Sequence, residues 1–584
     1  MTESHSLKHN LCLSVFLSVL IGVLVLPLAV SADTLGQEVD FNIDSSYDLQ
    51  SRKETQALLQ KITNQLYFYV DKEWWQGLDY SKRRSLDVAF YNLATEFEKK
   101  IYPILTSTFG SEPKPGVDED ERITILVHPM VSEAGGYFNS GDVYPKLQNP
   151  KSNEREMIYL NSQHIDKPDA KTFLTHEFTH LITDNQKDLL RGVAEETWLN
   201  EARADYAASL LGYDDVYKGS NLERRVKDFL AKPSDSLTEW LNKKEDYGVV
   251  NLFTQYLVDH YGKKILVDSL QSNKTGIESI NYALVKNNYP QDFSQIFSDW
   301  TIAVLANDCN LGEKYCYLNN NLKDFRITPT LYYLPRAETI LSTYHNATYW
   351  AANWHKFIGG GSNAVWEFKG AGSVEFKIPY LLCDLKGDCL VEFFSLDDEQ
   401  KGEITIPGFN AKYSSLTIIP FIESKTSGFD GKENSFSFSW TVNVREKSEE
   451  EREAEREAEL ISRLLAQIEE LKRQIAEVRA KINAILAEKT EVGPIACQNF
   501  ESNLYFGMRN DPQVSCLQQF LKNQGPEIYP EGLVTGNFLS LTQQAVIRFQ
   551  EKYASEILAS LDLEKGTGYV GPATRAKINS LINQ

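Results

Sequence analysis

The feature that most restricts the fold of this chain is the stretch His176-Glu177-Phe178-Thr179-His180. Around it Leu174, Phe178, Leu181 and Ile182 recur at helical spacing, so the five residues sit on a helix and the two histidines, four apart, project from one side of it. Imidazoles so placed reach a single metal ion. Glu177, one position after His176, then lies beside the open coordination position as a general base.

A catalytic zinc ion needs a third protein ligand and one position kept free for water. A metzincin would carry a third histidine where Gln186 stands and a glycine where Thr183 stands, so that arrangement is excluded. Further on, Asn200-Glu201-Ala202-Arg203-Ala204-Asp205 puts Glu201 and Asp205 on one face of a second helix. An HExxH helix followed by NExxxD resembles the gluzincin metallopeptidases, the thermolysin-like group. The resemblance implies that His176, His180 and Glu201 bind Zn2+, that Glu177 activates the attacking water, and that Asp205 accepts a hydrogen bond from a ligand histidine. Glu195 and Glu196 are rival third ligands, nearer His180 but without the following aspartate. Gluzincins also use a tyrosine or histidine to stabilise the tetrahedral oxyanion, and an edge strand to hold extended peptide by backbone hydrogen bonds. Tyr247 is the candidate for the first role, with a packed aromatic at a helix start as the alternative. Gly135-Gly136-Tyr137-Phe138 is the candidate for the second.

A chain of 584 residues exceeds what one core serves, so several domains are expected. Its net charge of -21, with no basic patch in the sequence, argues against nucleic acid as a partner. An apolar run over 11–30 after Lys8, followed by Val30-Ser31-Ala32, reads as an export signal with its cleavage site; the run is also long enough to span a bilayer if left uncleaved. Either way the rest of the chain lies outside the cytoplasm. Cys12 falls inside the run, far from the cleavage site. The other six cysteines form three close pairs, Cys309 with Cys316, Cys383 with Cys389 and Cys497 with Cys516, which suits local disulfides in an exported chain. Sequons stand at Asn273 and Asn346.

The expected fold is multidomain. Residues 1–32 form the signal and 33–59 a polar lead-in or propeptide. Residues 60–327 form an α+β zincin-type catalytic domain, opening with a helical pattern over 67–104, with buried strands at 122–130 and 156–162, and mainly helical from the metal motif to about Leu305. Residues 328–444 carry short alternating runs separated by turn residues, a β-sandwich-like pattern. Within 445–490, Ile461, Leu464, Ile468, Leu471, Ile475, Val478, Ile482 and Ile485 mark the a/d seam of a coiled coil. Its isoleucines at a and first leucines at d favour a parallel homodimer; a lone helix folded onto a neighbour is the alternative.

In 497–584, Thr535-Gly536-Asn537-Phe538 is echoed by Thr567-Gly568-Tyr569-Val570, and Ala545-Val546-Ile547-Arg548-Phe549-Gln550 follows the first copy. The segment resembles the small helical peptidoglycan-binding domain family, which implies peptidoglycan as a partner. Leu539-Ser540-Leu541 departs from the Gly-Pro common before the threonine, which the second copy keeps at Gly571-Pro572. Together these readings describe a secreted, cell-wall-associated zinc metallopeptidase acting on protein or peptide. The rival readings are a hydrolase of the wall's own cross-link peptides and a wall-bound adhesin or scaffold with a vestigial zinc site.

Overall fold

A computed structural model describes residues 32–336, 338–360, 363–429, 431–445, 449–488 and 497–584. The export signal, but for Ala32, lies outside the described residues. The chain is multidomain, with mixed helix and sheet, and divides along the sequence after Glu450 into two compact units.

The first unit opens with a six-stranded sheet of β1 (Glu38–Asn42), β2 (Glu54–Ile62), β3 (Leu66–Asp71), β4 (Ile123–His128), β5 (Gly136–Phe138) and β6 (Met157–Asn161), in the order β1-β2-β3-β4-β6-β5. Pairing is parallel from β3 through β4 to β6 and antiparallel elsewhere. Two expectations are corrected here. Residues 33–59 are not a lead-in, because β1 and β2 extend the sheet and bury Phe41, Ala57 and Leu59. Their polar residues occupy the outer face of an antiparallel pair, which reads as polar sequence when the alternation is missed. The helical pattern expected from Tyr67 begins later, since Leu66–Asp71 is a strand buried on both faces and therefore lacks alternation.

Helices α1 (Lys72–Gly77), α2 (Tyr80–Glu96) and α3 (Tyr102–Phe109) cover one face of this sheet, the last two joined by a π turn at Phe97–Ile101. On the same core lie α4 (Ala170–Asp184), α5 (Thr197–Leu210), α6 (Asn221–Ala231) and α7 (Lys244–Tyr261). Phe178 of α4 meets Phe97 edge-on at 4.9 Å between ring centres, which ties the metal-motif helix to the helices over the sheet. Burying rings of this size contributes about 2–3 kcal/mol each, so α4 is held rigidly.

Beyond Ala306, strands Lys401–Pro407, Asn363–Gly370, Phe436–Arg445 and Ile340–Ala347 pair in that order. A second sheet runs Cys389–Phe393, Pro379–Asp384, Tyr413–Ile418, His355–Ile358 and Leu331–Tyr333. Trp366 and Trp440 of one sheet and Phe357, Leu416 and Ile418 of the other share a single apolar core. This half also reaches into the helical core, where Phe421 packs 4.9 Å from Phe297 and Trp350 packs 4.9 Å from Phe293.

Glu449–Glu488 is one continuous helix that runs from the end of the first unit into the second, and its stripe from Ile461 to Ile485 is 46–58% exposed. In the small C-terminal fold, helices Pro512–Asn523, Ser540–Lys552 and Pro572–Ile582 surround Leu517, Phe538, Phe549, Val570 and Ile578. The sequence echo has a physical basis in two glutamines. Gln518 accepts from the Gly536 amide at 2.9 Å and donates to Thr542 Oγ1 at 2.8 Å; Gln550 accepts from the Gly568 amide at 2.9 Å and donates to Thr574 Oγ1 at 2.9 Å. Each glutamine thereby fixes a turn to the helix that follows it. All three expected disulfides are present. Among the described residues no helix is long and apolar enough to cross a membrane.

Candidate metal centre

On α4, Leu174, Phe178 and Leu181 face the core, which turns His176 and His180 toward α5. Thr175 and Thr179 are buried in the same helix, and their hydroxyls are satisfied by donating to the carbonyls of Lys171 (2.7 Å) and Thr175 (2.8 Å). Helix α5 is anchored by buried Trp198 and Leu199 and brings Glu201 to face the two histidines.

The three donors converge. His176 Nε2 and His180 Nε2 are 3.1 Å apart, and Glu201 Oε2 lies 3.1 Å from the first and 3.5 Å from the second. A tetrahedral ion with bonds of 2.0–2.1 Å separates its ligands by about 3.3 Å, so these spacings match one face of such a tetrahedron. His176, His180 and Glu201 therefore form a cluster that could hold a metal ion. Two imidazoles and a carboxylate suit several divalent ions. Glu201 is buried, which acts to raise its carboxyl pKa, but His180 and His176 hold it well below the usual range. Against the burial that acts to lower it, Glu201 in turn pushes His180 up to about 9.

Glu177 lies beside the cluster and under the edge strand: a methyl group on Gly136 of β5 would come within 3.2 Å of its Cγ. Burial raises its carboxyl pKa, opposed by the neighbouring histidines. Strand β5 is at the sheet edge, antiparallel to β6, as expected for Gly136–Phe138. Tyr247, in the first turn of α7, has its ring centre 6.3 Å from that of His176 and donates to Asn242 Oδ1 at 3.3 Å.

Asp205 plays a different part from the one expected. Its Oδ1 is 4.0 Å from His176 Nδ1, too far for a hydrogen bond, and the carboxylate instead accepts from Arg225 Nε and Nη2 at 2.9 and 2.7 Å and from Asn251 Nδ2 at 2.7 Å. A buried guanidinium binds a carboxylate more strongly than a neutral imidazole does. Arg225 in turn lies over the Tyr247 ring at 4.5 Å, so Asp205 positions Tyr247 through it. The rival ligands are occupied away from the cluster. Glu195 pairs with Arg203 at 2.7 Å and accepts from the Gly276 amide, while Glu196 accepts from Trp198 Nε1 and the Gly428 amide, each at 2.8 Å.

Two residues at the site were not expected. Asn200 Oδ1 lies 3.0 Å from His180 Nδ1, so it accepts that N–H and leaves the Nε2 lone pair facing the cluster. Its place next to Glu201 was the available signal. Tyr47, on the loop between β1 and β2, stacks on Tyr137 of β5 at 4.7 Å and feels the charges of Glu177 and Glu201. Buried Asp48 and Asp71 hold this loop, each bonding Arg52 at 2.8 Å. Nothing in 33–59 by itself marked Tyr47. Among the described residues the remaining histidines lie outside the cluster: His128 is buried 3.4 Å from Asp48, His164 faces Asp169, His260 faces the Cys316 carbonyl, and His345 and His355 sit with Trp440 between the two β sheets.

No known protein-family profile matches the chain, and no curated protein matches it in sequence. Among solved structures, it is similar to the pre-peptidase C-terminal domain of a collagenase from Bacillus anthracis at 6% identity, over 20% of this chain and 97% of that one, with a TM-score of 0.14. It is also similar to a periplasmic inhibitor of g-type lysozyme from Aeromonas hydrophila at 9% identity, over 20% of this chain and 99% of that one, with a TM-score of 0.15. Likenesses of this size carry no assignment, so the chemistry rests on the cluster itself.

Proposed function

We propose that this protein is an exported, zinc-dependent peptidase of gluzincin type, retained at the cell wall by its C-terminal domain. The observation that carries the reading is the convergence of His176, His180 and Glu201 at tetrahedral ligand spacing with Glu177 beside them. When bound, zinc supplies Lewis acidity that polarises a peptide carbonyl and acidifies water. With three protein ligands, a tetrahedral site keeps its fourth position for water or substrate. Glu177 takes a proton from the attacking water and passes it to the departing amine, a role suited to a buried carboxyl of raised pKa. Asn200 holds His180 in the tautomer that presents Nε2. Tyr247 donates a hydrogen bond to the developing oxyanion, with its ring fixed by Arg225. The free edge of β5 takes an extended peptide by backbone pairing. The exposed apolar stripe on Glu449–Glu488 supports self-association as a parallel pair of helices.

The test compares wild type and Glu177→Gln, each with and without zinc, on an unfolded-protein substrate and on purified wall sacculi. The substitution leaves the three ligands in place, so metal content should be unchanged while cleavage falls by about 10²- to 10⁴-fold. Equal cleavage by both proteins places the active site elsewhere. Cleavage of sacculi but not of protein favours the wall-hydrolase reading, and inactivity of wild type on both favours the scaffold.

A further inference from the structure

Next to the metal helix lies an open cleft of about 650 Å³, formed where the chain enters α4 and where it enters α6. The chain as a whole has a net charge of -21, yet five side chains lining this cleft are cations: Lys167, Lys171, Lys218, Arg224 and Lys227. They face two carboxylates, Asp169 and Glu223, and both are already engaged. Asp169 Oδ2 lies 3.0 Å from His164 Nδ1, and Glu223 pairs with Lys227 at 2.9 Å and accepts from the Gly219 amide at 2.6 Å. The nearest contacts of Lys171 and Arg224 are to neutral groups. Lys171 Nζ is 4.3 Å from the centre of the Tyr213 ring; Arg224 donates to Asn221 Oδ1 at 2.6 Å and lies 5.7 Å from the Phe173 ring. Among the described residues, Lys167, Lys171, Lys218 and Arg224 have no carboxylate within ion-pair distance. The N-terminal ends of α4 and α6 add the positive ends of two helix dipoles.

The cleft adjoins the reaction centre on two sides. Phe173, which lines it, is one turn ahead of His176 and packs so closely on Gly135 that a methyl there would come within 2.3 Å of the ring. Arg224 directly precedes Arg225, which holds Asp205 and covers Tyr247. Phe173 thus joins the cleft to β5, the strand that the peptidase reading gives to substrate.

We propose that this cleft is an anion subsite which takes the side-chain carboxylates of an acidic peptide substrate. Its use in cleavage rests on the peptidase reading, but its binding chemistry does not. Unpaired cations gathered in one cleft attract acidic segments and repel basic ones, and a guanidinium already fixed against Asn221 and Phe173 loses little freedom on pairing.

The test measures binding to the full-length protein, metal-free and zinc-loaded, of three peptides: acetylated tetraglutamate amide, acetylated tetraglutamine amide, and acetylated tetraglutamine with a free C-terminal carboxylate. The glutamate peptide should bind at least about tenfold tighter than either glutamine peptide, with or without metal, and its advantage should shrink as salt is raised. The double variant Lys171→Gln/Arg224→Gln should lose that advantage, while Lys227→Gln, whose partner is Glu223, should keep most of it. Equal binding of all three peptides, or an undiminished advantage in the double variant, overturns the subsite, and preference for the free-carboxylate peptide reassigns it to a chain terminus. In cleavage of matched substrates bearing Glu or Gln, wild type should favour Glu and the double variant should not. Glutamate binding without any peptidase activity would sink the peptidase reading and leave the subsite standing; cleavage without glutamate preference or binding would do the reverse.

Discussion

Asn200→Ala tests how the metal centre is organised, through one hydrogen bond. Asn200 Oδ1 is the acceptor for His180 Nδ1–H at 3.0 Å, and His180 is only 8% exposed, so water has little access to replace it. Alanine leaves that N–H unsatisfied, at a cost of about 1–3 kcal/mol. In its neutral form, the one that binds metal, the ring relieves the cost by moving its proton to Nε2, which removes the lone pair that faces His176 and Glu201. Zinc binding must then reverse the tautomer, so affinity should fall by roughly 10- to 100-fold, the range typical for partners of ligand histidines. Competition against a chelator of known zinc affinity measures this directly, on protein whose metal-free melting temperature matches wild type. Asn200→Asp keeps an acceptor and should recover most of the affinity. Equal zinc affinity in wild type and Asn200→Ala, with the fold intact, would refute the role of Asn200 in fixing the His180 tautomer.

Glu156 is 3% exposed, and burial pushes its carboxyl pKa up to about 7 from an ordinary 4.5. Its folded form thus holds the proton more tightly than its unfolded form, so its contribution is fully present below about pH 4.5 and is lost as pH rises through 7, by about 3 kcal/mol. Glu156→Gln should flatten that part of the melting temperature against pH and raise it at pH 8; an unchanged profile would show that the carboxyl is hydrated. Ile475→Asp places a charge in the exposed stripe of Glu449–Glu488, where Ile475 is 54% exposed in the single chain, and should weaken self-association at least about tenfold by sedimentation, whereas Glu470→Gln off the stripe should not. Tyr247→Phe should lower kcat by about 10² or more with little change in KM, since in the proposed mechanism the phenol acts on developing charge; an effect confined to KM would make Tyr247 a substrate-binding group only.

What the sequence determined by itself is the local part of this protein. His176 and His180 share a helix face because four residues make about one turn, and that holds whatever surrounds the helix. The strands at Ile123–His128 and Met157–Asn161, the helix Glu449–Glu488 and the three disulfides were legible for the same reason, since each follows from short-range spacing or composition. Glu201 was legible only because its neighbours Asn200 and Asp205 form a pattern with it. Tertiary structure decided everything that depends on distant segments meeting. The Arg225 guanidinium comes from a third helix and takes Asp205 away from His176, and Tyr47 comes to stack on β5 beside the cluster because β1 and β2 complete the sheet. The cationic cleft joins 167–173 to 213–227, two stretches unremarkable in a chain of this net charge until α4 and α6 bring them together. Periodicity is set by backbone geometry within a few residues, whereas which carboxylate a cation meets is settled only when the folded chain buries both in one place.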